Sequence, residues 1–193
     1  MGENTDQSRP EIQPWEVVSR ELVLDASPWV RHWTESVKLP DGRVIDDYHT
    51  VVLRDFASIV TFTPDNLLII QKSYRHGVRR VSLGLPGGYL EVGEDSLTAA
   101  KRELLEETGY AAEDWHRICS LVVHGNAGCG TMHAFIARGA KRITDPDSGD
   151  LEDVHLSLMS IPEVMSALSG GEFRTLPSVT ALLLALNGIR LGS

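Results

Sequence analysis

The chain has 193 residues, 42% hydrophobic and 23% charged, which suits one folded domain with a small appendage and excludes a disordered or fibrous polypeptide. Eighteen Lys and Arg against 27 Asp and Glu leave a net charge of −9, the wrong sign for a general binder of nucleic-acid backbones, so a phosphate-bearing substrate needs an intervening cation. Two cysteines, Cys119 and Cys129, are too few for a disulfide framework and lack paired zinc-ligand spacing, so a reducing, cytoplasmic setting is expected.

Residues 1–14 are polar and acidic, without the basic start and apolar run of a signal peptide, and read as a loose tail. Residues 15–24 and 30–39 are strand-like, and Pro40-Asp41-Gly42 then signals a turn into a third strand at 44–53. These three runs predict a small antiparallel sheet. Residues 57–62 and 67–72 form a second apolar pair around Thr63-Pro64-Asp65-Asn66, which predicts a hairpin. The period then changes near Asp95, where Leu97, Ala100, Leu104 and Leu105 recur at helical spacing, with Asp95 a candidate N-cap and Gly109 a candidate stop. Strands at 117–123, 131–137 and 154–159 follow, then helices at 161–168 and 178–186. The apolar run 181–186 is far short of the ~20 residues of a membrane span, so no membrane role is expected. The order of elements predicts a mixed sheet with helices packed on it.

Chemistry concentrates on the helix that starts near Asp95. It carries Glu103, Glu106 and Glu107 within an arc of roughly 100°, apart from most of the leucine face. Like charges at this spacing destabilise a helix by ~0.2–0.5 kcal/mol per pair, a penalty that a divalent cation reverses. Oxygen-only donors suit Mg²⁺ or Mn²⁺, with waters and a substrate phosphate filling the shell. A solvated acidic face is the other reading of three glutamates alone. Upstream, Pro86-Gly87-Gly88 can bring bare backbone, carbonyls included, close to the carboxylates, and Arg102 stands four residues before Glu106, placed to fix that carboxylate by an ion pair.

Written out, the segment is Gly88, five residues, Glu94, seven residues, then Arg102-Glu103-Leu104-Leu105-Glu106-Glu107-Thr108-Gly109-Tyr110. It resembles the Nudix box at Gly88, Glu94, Arg102, Glu103, Glu106, Glu107 and Gly109, with Tyr110 where the family usually has an aliphatic residue. The resemblance implies an α+β fold, an α/β/α sandwich with a mixed sheet, here preceded by the small antiparallel N-terminal sheet. It also implies divalent-metal-dependent hydrolysis of a nucleoside diphosphate linked to another moiety. Carried over by position, Glu103, Glu106 and Glu107 are the expected carboxylate ligands and Gly87 lends its carbonyl.

Residues 15–186 are similar to the ADP-ribose pyrophosphatase branch of that family. This implies a tail at 1–14, a dimerising N-terminal sheet at 15–54 and a Nudix domain at 55–193 of a homodimer. Trp29 and Arg31 then stand where nucleobase contacts arise, with core packing and a plain surface charge as their alternatives. Arg75, in Gln71-Lys72-Ser73-Tyr74-Arg75, becomes the expected phosphate contact. The polar loop 143–153 resembles the segment that closes over the site and supplies the general base, which makes Glu152, then Asp150, the candidates. The region Val123-His124-Gly125-Asn126-Ala127-Gly128-Cys129-Gly130 departs from the branch by lacking its proline, which leaves base and sugar open. The expected reaction is water attack that splits an ADP-ribose-like nucleoside diphosphate sugar into a nucleoside monophosphate and a sugar phosphate. Two other readings are a sanitising hydrolase of nucleoside triphosphates or dinucleoside polyphosphates, and a non-catalytic nucleotide-sugar sensor.

Overall fold

Alternating strand residues and a tight turn build the N-terminal unit. The computed structural model describes residues 11–147, 149 and 153–191. Strands β1 (Glu16–Ala26), β2 (Val30–Lys38) and β3 (Val44–Leu53) form an antiparallel sheet in the order β1-β2-β3. The turn between β2 and β3 is closed by Leu39 and Arg43, the N–H of Leu39 donating to the Arg43 carbonyl at 2.8 Å. Among the described residues of this unit, only Glu35 and Val37 are buried. Glu35 sits 3.1 Å from the Arg20 guanidinium and accepts a 3.0 Å hydrogen bond from the Thr50 hydroxyl, as a buried carboxylate requires. The short segment Asn126–Gly128 belongs with this unit: Ala127 accepts from the N–H of Val51 and Asn126 from the Tyr48 hydroxyl.

The second unit begins at Arg54. It contains β4 (Phe56–Thr61), β5 (Leu68–Arg75), β6 (Arg80–Gly84), α1 (Ser96–Thr108), β7 (Tyr110–Ala111), β8 (Asp114–Val122), β9 (Thr131–Arg138), β10 (Lys141–Arg142), β11 (His155–Met159), α2 (Ile161–Ser169) and α3 (Leu176–Leu186). One sheet is mixed, with β4 parallel to β9 and β9 antiparallel to β8; β11-β5-β6 is antiparallel, and β7 pairs with β10. The mixed sheet is apolar on both faces. Ala57, Ile59, Phe135 and Ala137 meet Ala100 and Leu104 of α1, while Val60, Ala134 and Ile136 join Val164 of α2 and Ala181 and Leu182 of α3. Helices therefore cover both faces, which is the expected α+β sandwich with a mixed sheet.

One expectation is overturned. Residues 57–62 and 67–72 do not form a hairpin: the turn between them exists, with the N–H of Thr63 bonded to Leu67, but pairing stops after the single bridge Phe62–Leu68. Beyond it β4 joins β9 and β5 joins β6 and β11, because each strand is apolar enough to be buried inside a sheet. The short β6, β7 and β10 were not legible as runs, and α3 starts at Leu176 with Pro177 in its first turn.

Helix α1 is bounded as its sequence signals. The Asp95 carboxylate accepts from the N–H groups of Leu97 and Thr98 at 3.1 Å, and the Thr98 hydroxyl hydrogen bond is the main reason its acidity is raised above the ordinary carboxylate value. Gly109 closes the helix at φ 73°, its N–H on Leu105 and its carbonyl accepting from Ile143 and Thr144. Tyr110, the aromatic at the last position of the motif, is half-buried against the cluster around Leu104. Among the described residues, no helix is long and apolar enough to cross a membrane.

Candidate active site

The loop before α1 is built around Gly87 and Gly88, and backbone crowding dictates both. Gly87 has φ 145°, and a side chain there would collide with the Ala57 carbonyl. A Cβ on Gly88 would stand 2.5 Å from the Glu103 carboxylate. Strand β4 clamps this loop: the N–H of Ile59 donates to Pro86 and that of Ala57 to Gly88, at 2.9 and 2.8 Å. The Gly87 carbonyl lies between those two engaged carbonyls, and its N–H donates to Oε2 of Glu107 at 2.7 Å.

Arg102 organises the carboxylates. Its guanidinium makes two hydrogen bonds to Glu94, at 2.9 and 3.0 Å, one to Glu103 at 2.8 Å and one to Glu106 at 3.0 Å. The hydrogen bond from Arg102 holds Glu94 below the usual carboxylate range, and the same bond pushes Arg102 further above its own high value. Glu94 also accepts from the N–H of Glu91 at 2.9 Å, tying the loop to the helix. The expected Arg102–Glu106 pair is thus present, as one arm of a four-residue network.

Glu103, Glu107, Gly87, Gly88 and Arg75 line one cavity of about 450 Å³, together with Arg54, Tyr89, Glu91, Arg102 and Val154. Glu106 does not line it; its side chain is 44% exposed and lies along Arg102. Among the described residues, no three His, Cys, Asp or Glu side chains converge closely enough to cage an ion on their own. Two carboxylates beside a glycine carbonyl suit a hard cation that completes its shell with water and phosphate oxygens. Next to this cavity is another of about 350 Å³, which shares Arg75, Gly87, Gly88 and Tyr89 and continues to Leu85, Thr175, Pro177 and Ser178. The cleft therefore runs from a charged end to a more apolar end.

Of the other sequence-predicted residues, Arg75 faces the cleft from the end of β5. Trp29 and Arg31 belong to the N-terminal unit, and Trp29 is 61% exposed rather than part of a core. Asp150 and Glu152 lie outside the described residues. Sequence reasoning missed Arg54, Gln71 and Tyr89. The Arg54 guanidinium stacks 4.7 Å over the Tyr89 ring and donates to the Leu90 carbonyl at 2.8 Å. Gln71 directly follows the apolar run Leu67-Leu68-Ile69-Ile70 and precedes polar Lys72 and Ser73, so its burial left no mark in the sequence. His133 is a hydrogen-bonded residue of β9, its Nδ1 2.9 Å from the Ser120 hydroxyl, and the buried Cys119 thiol is pushed up by desolvation, away from nucleophilic use.

Comparison with known proteins agrees with this geometry. The chain is 28% identical over 114 residues to the methanol dehydrogenase activator of Bacillus methanolicus, a match covering 58% of this chain and 60% of that protein's length. It is 27% identical over 129 residues to the ADP-ribose pyrophosphatase of Bacillus subtilis (strain 168), covering 67% of this chain and 69% of the relative. The crystal structure of an ADP compounds hydrolase superposes with a TM-score of 0.79 at 21% identity, over 93% of this chain and 96% of that one, a likeness of fold. The NUDIX domain model matches residues 52–177, which span the glycine loop, the carboxylate helix and the cleft, and the chain belongs to the Nudix family.

Proposed function

We propose that this protein is a pyrophosphohydrolase that cleaves a nucleoside diphosphate sugar of the ADP-ribose kind into a nucleoside monophosphate and a sugar phosphate. The observation that carries the reading is the shared lining of one cavity by Glu103, Glu107, Gly87 and the cation Arg75. A diphosphate needs cationic charge on its oxygens and a held water beside one phosphorus, and these groups are of the right kind for both. The ADP-ribose pyrophosphatase of Bacillus subtilis supports the substrate class.

In this reading Glu103 and Glu107, with the Gly87 carbonyl and Glu106 as a neighbouring carboxylate, hold Mg²⁺ or Mn²⁺. When bound, such an ion lowers the pKa of a coordinated water and neutralises charge on the leaving phosphate. Arg75 binds the phosphate oxygens, and Arg102 keeps the carboxylates apart in fixed orientations, with Glu94 and Gly109 bounding the motif. Water adds to one phosphorus, the bridging P–O bond breaks, and the leaving phosphate carries the electron pair. Glu152, or Asp150 in its place, takes the water's proton; Val154, two residues on, lines the cavity, which supports a base from this segment. Trp29 and Arg31 contribute to the nucleobase.

The protein acts as a homodimer through residues 15–54, with 55–193 as the hydrolase domain. The support is the apolar surface of β1, where Val17, Val18, Leu22, Val23 and Leu24 are each at least 41% exposed. A cytoplasmic setting fits Cys119 and Cys129, which are both free thiols.

The deciding experiment is phosphate release, coupled to alkaline phosphatase, from ADP-ribose, GDP-mannose, UDP-sugars, dinucleoside polyphosphates and nucleoside triphosphates with Mg²⁺ or Mn²⁺. One dominant diphosphate sugar is the expected result. Turnover of triphosphates alone, or tight binding with no turnover of any substrate, overturns it.

A further inference from the structure

Gln71 lies in β5 after two buried isoleucines and is itself only 1% exposed. Its Nε2 donates to Oε2 of Glu107 at 2.9 Å, the same oxygen that accepts from the Gly87 N–H at 2.7 Å. Among the described residues its own Oε1 has no hydrogen-bond partner and is buried. An amide turned over would set its carbonyl oxygen against the carboxylate oxygen, so contact with Glu107 decides the orientation of the side chain.

A buried amide with an unpaired acceptor is unfavourable, here directly after buried Ile69 and Ile70 and across the ladder from Leu156. Packing alone would favour Met or Leu there. The residue instead spends its donors on one carboxylate of the metal-binding motif. We propose that Gln71 is a positioning residue that, with the Gly87 N–H, locks the carboxylate of Glu107 in the orientation in which it receives the cation. Two donors from different elements, β5 and the glycine loop, fix one oxygen and stop rotation about the last side-chain bond of Glu107. Outer partners of this kind typically alter metal affinity or activity 10–100-fold when removed.

This role rests on the metal-dependent reading above, and a binding measurement separates the two. Mn²⁺ titration of the full chain, read by electron paramagnetic resonance, compares wild type with Gln71→Met and Gln71→Leu. The expected result is about 10–100-fold weaker Mn²⁺ binding and a similar fall in kcat, with KM for the preferred substrate within about threefold and Tm equal to or above that of wild type. Adding Gln71→Met to Glu107→Gln should change Mn²⁺ affinity no further. Affinity within twofold of wild type overturns the proposal, and so does unfolding of both variants, which would make the amide structural. Wild type that binds no Mn²⁺ removes the metal-dependent reading and this role with it.

Discussion

The two units solve the problem of a sheet in opposite ways. In the N-terminal unit, long strands pair in perfect succession, yet β1 is exposed along its whole length and the described residues bury only Glu35 and Val37. In the second unit, strands of five to nine residues, and two shorter ones, are interleaved out of sequence order, and the mixed sheet is packed on both faces. Backbone pairing therefore sets the N-terminal unit, whereas side-chain packing sets the one that carries the site. Local hydrogen bonds contribute little net stability in water, so a sheet with so little core leaves much of its apolar surface exposed, while the packed unit can hold carboxylates against one another.

The sharpest contrast is at the site. Glu107→Gln should lower turnover on the order of 10³-fold, as the loss of several kcal/mol of charge stabilisation implies, with Tm changed little. Steady-state kinetics on the preferred substrate, beside a thermal melt, checks both halves, and full metal-dependent turnover in the variant would break the assignment.

Stability should divide along the same line. Leu104→Ala empties a fully buried position between α1 and the mixed sheet and should cost about 2–5 kcal/mol in denaturant unfolding. Val18→Thr, at a residue 56% exposed on β1, should stay within about 0.5 kcal/mol and act instead on the concentration dependence of Tm if that face is an interface. Equal costs at the two positions would erase the contrast between the units.

The smallest effect concerns pH. Burial holds His133 below its ordinary value of 6.5; Asp55, 4.0 Å away, pulls it up again, and Arg117 adds to the lowering. The fold prefers the neutral ring and the unfolded chain takes up a proton first, so stability is full above pH 6.5 and falls as pH drops toward the folded value. His133→Asn should flatten that decline, measured as denaturant midpoints at a series of pH values. An unchanged slope would show that other groups cause it.

Helix α1 and its motif were legible because their signals are local. Asp95 caps, Gly109 stops, and Arg102 reaches Glu106 one turn away, all within a single element. The full Arg102 network was not, since Glu94 enters it from the loop before the helix. The hairpin expected at 57–62 and 67–72 failed for the complementary reason. Its turn is real, but β4 pairs with the distant β9, β5 pairs with the next strand β6 and the distant β11, and two short apolar runs carry no mark of which strand they will join. Gln71 belongs with the second group: it stands at the polar end of an apolar run, and both its burial and its contact with Glu107 come from packing.

Local chemistry thus determined the family motif, the ends of α1, the three N-terminal strands and the acidic character of the site, because each depends on residues within a turn or two of one another. Tertiary structure alone decided which carboxylates face the cavity, that Arg54 and Tyr89 stack at its rim, and that Gln71 and Gly87 grip the same oxygen. Those outcomes depend on how β4, β5 and α1 pack, and packing is settled by burial across the whole domain rather than by any one stretch of chain.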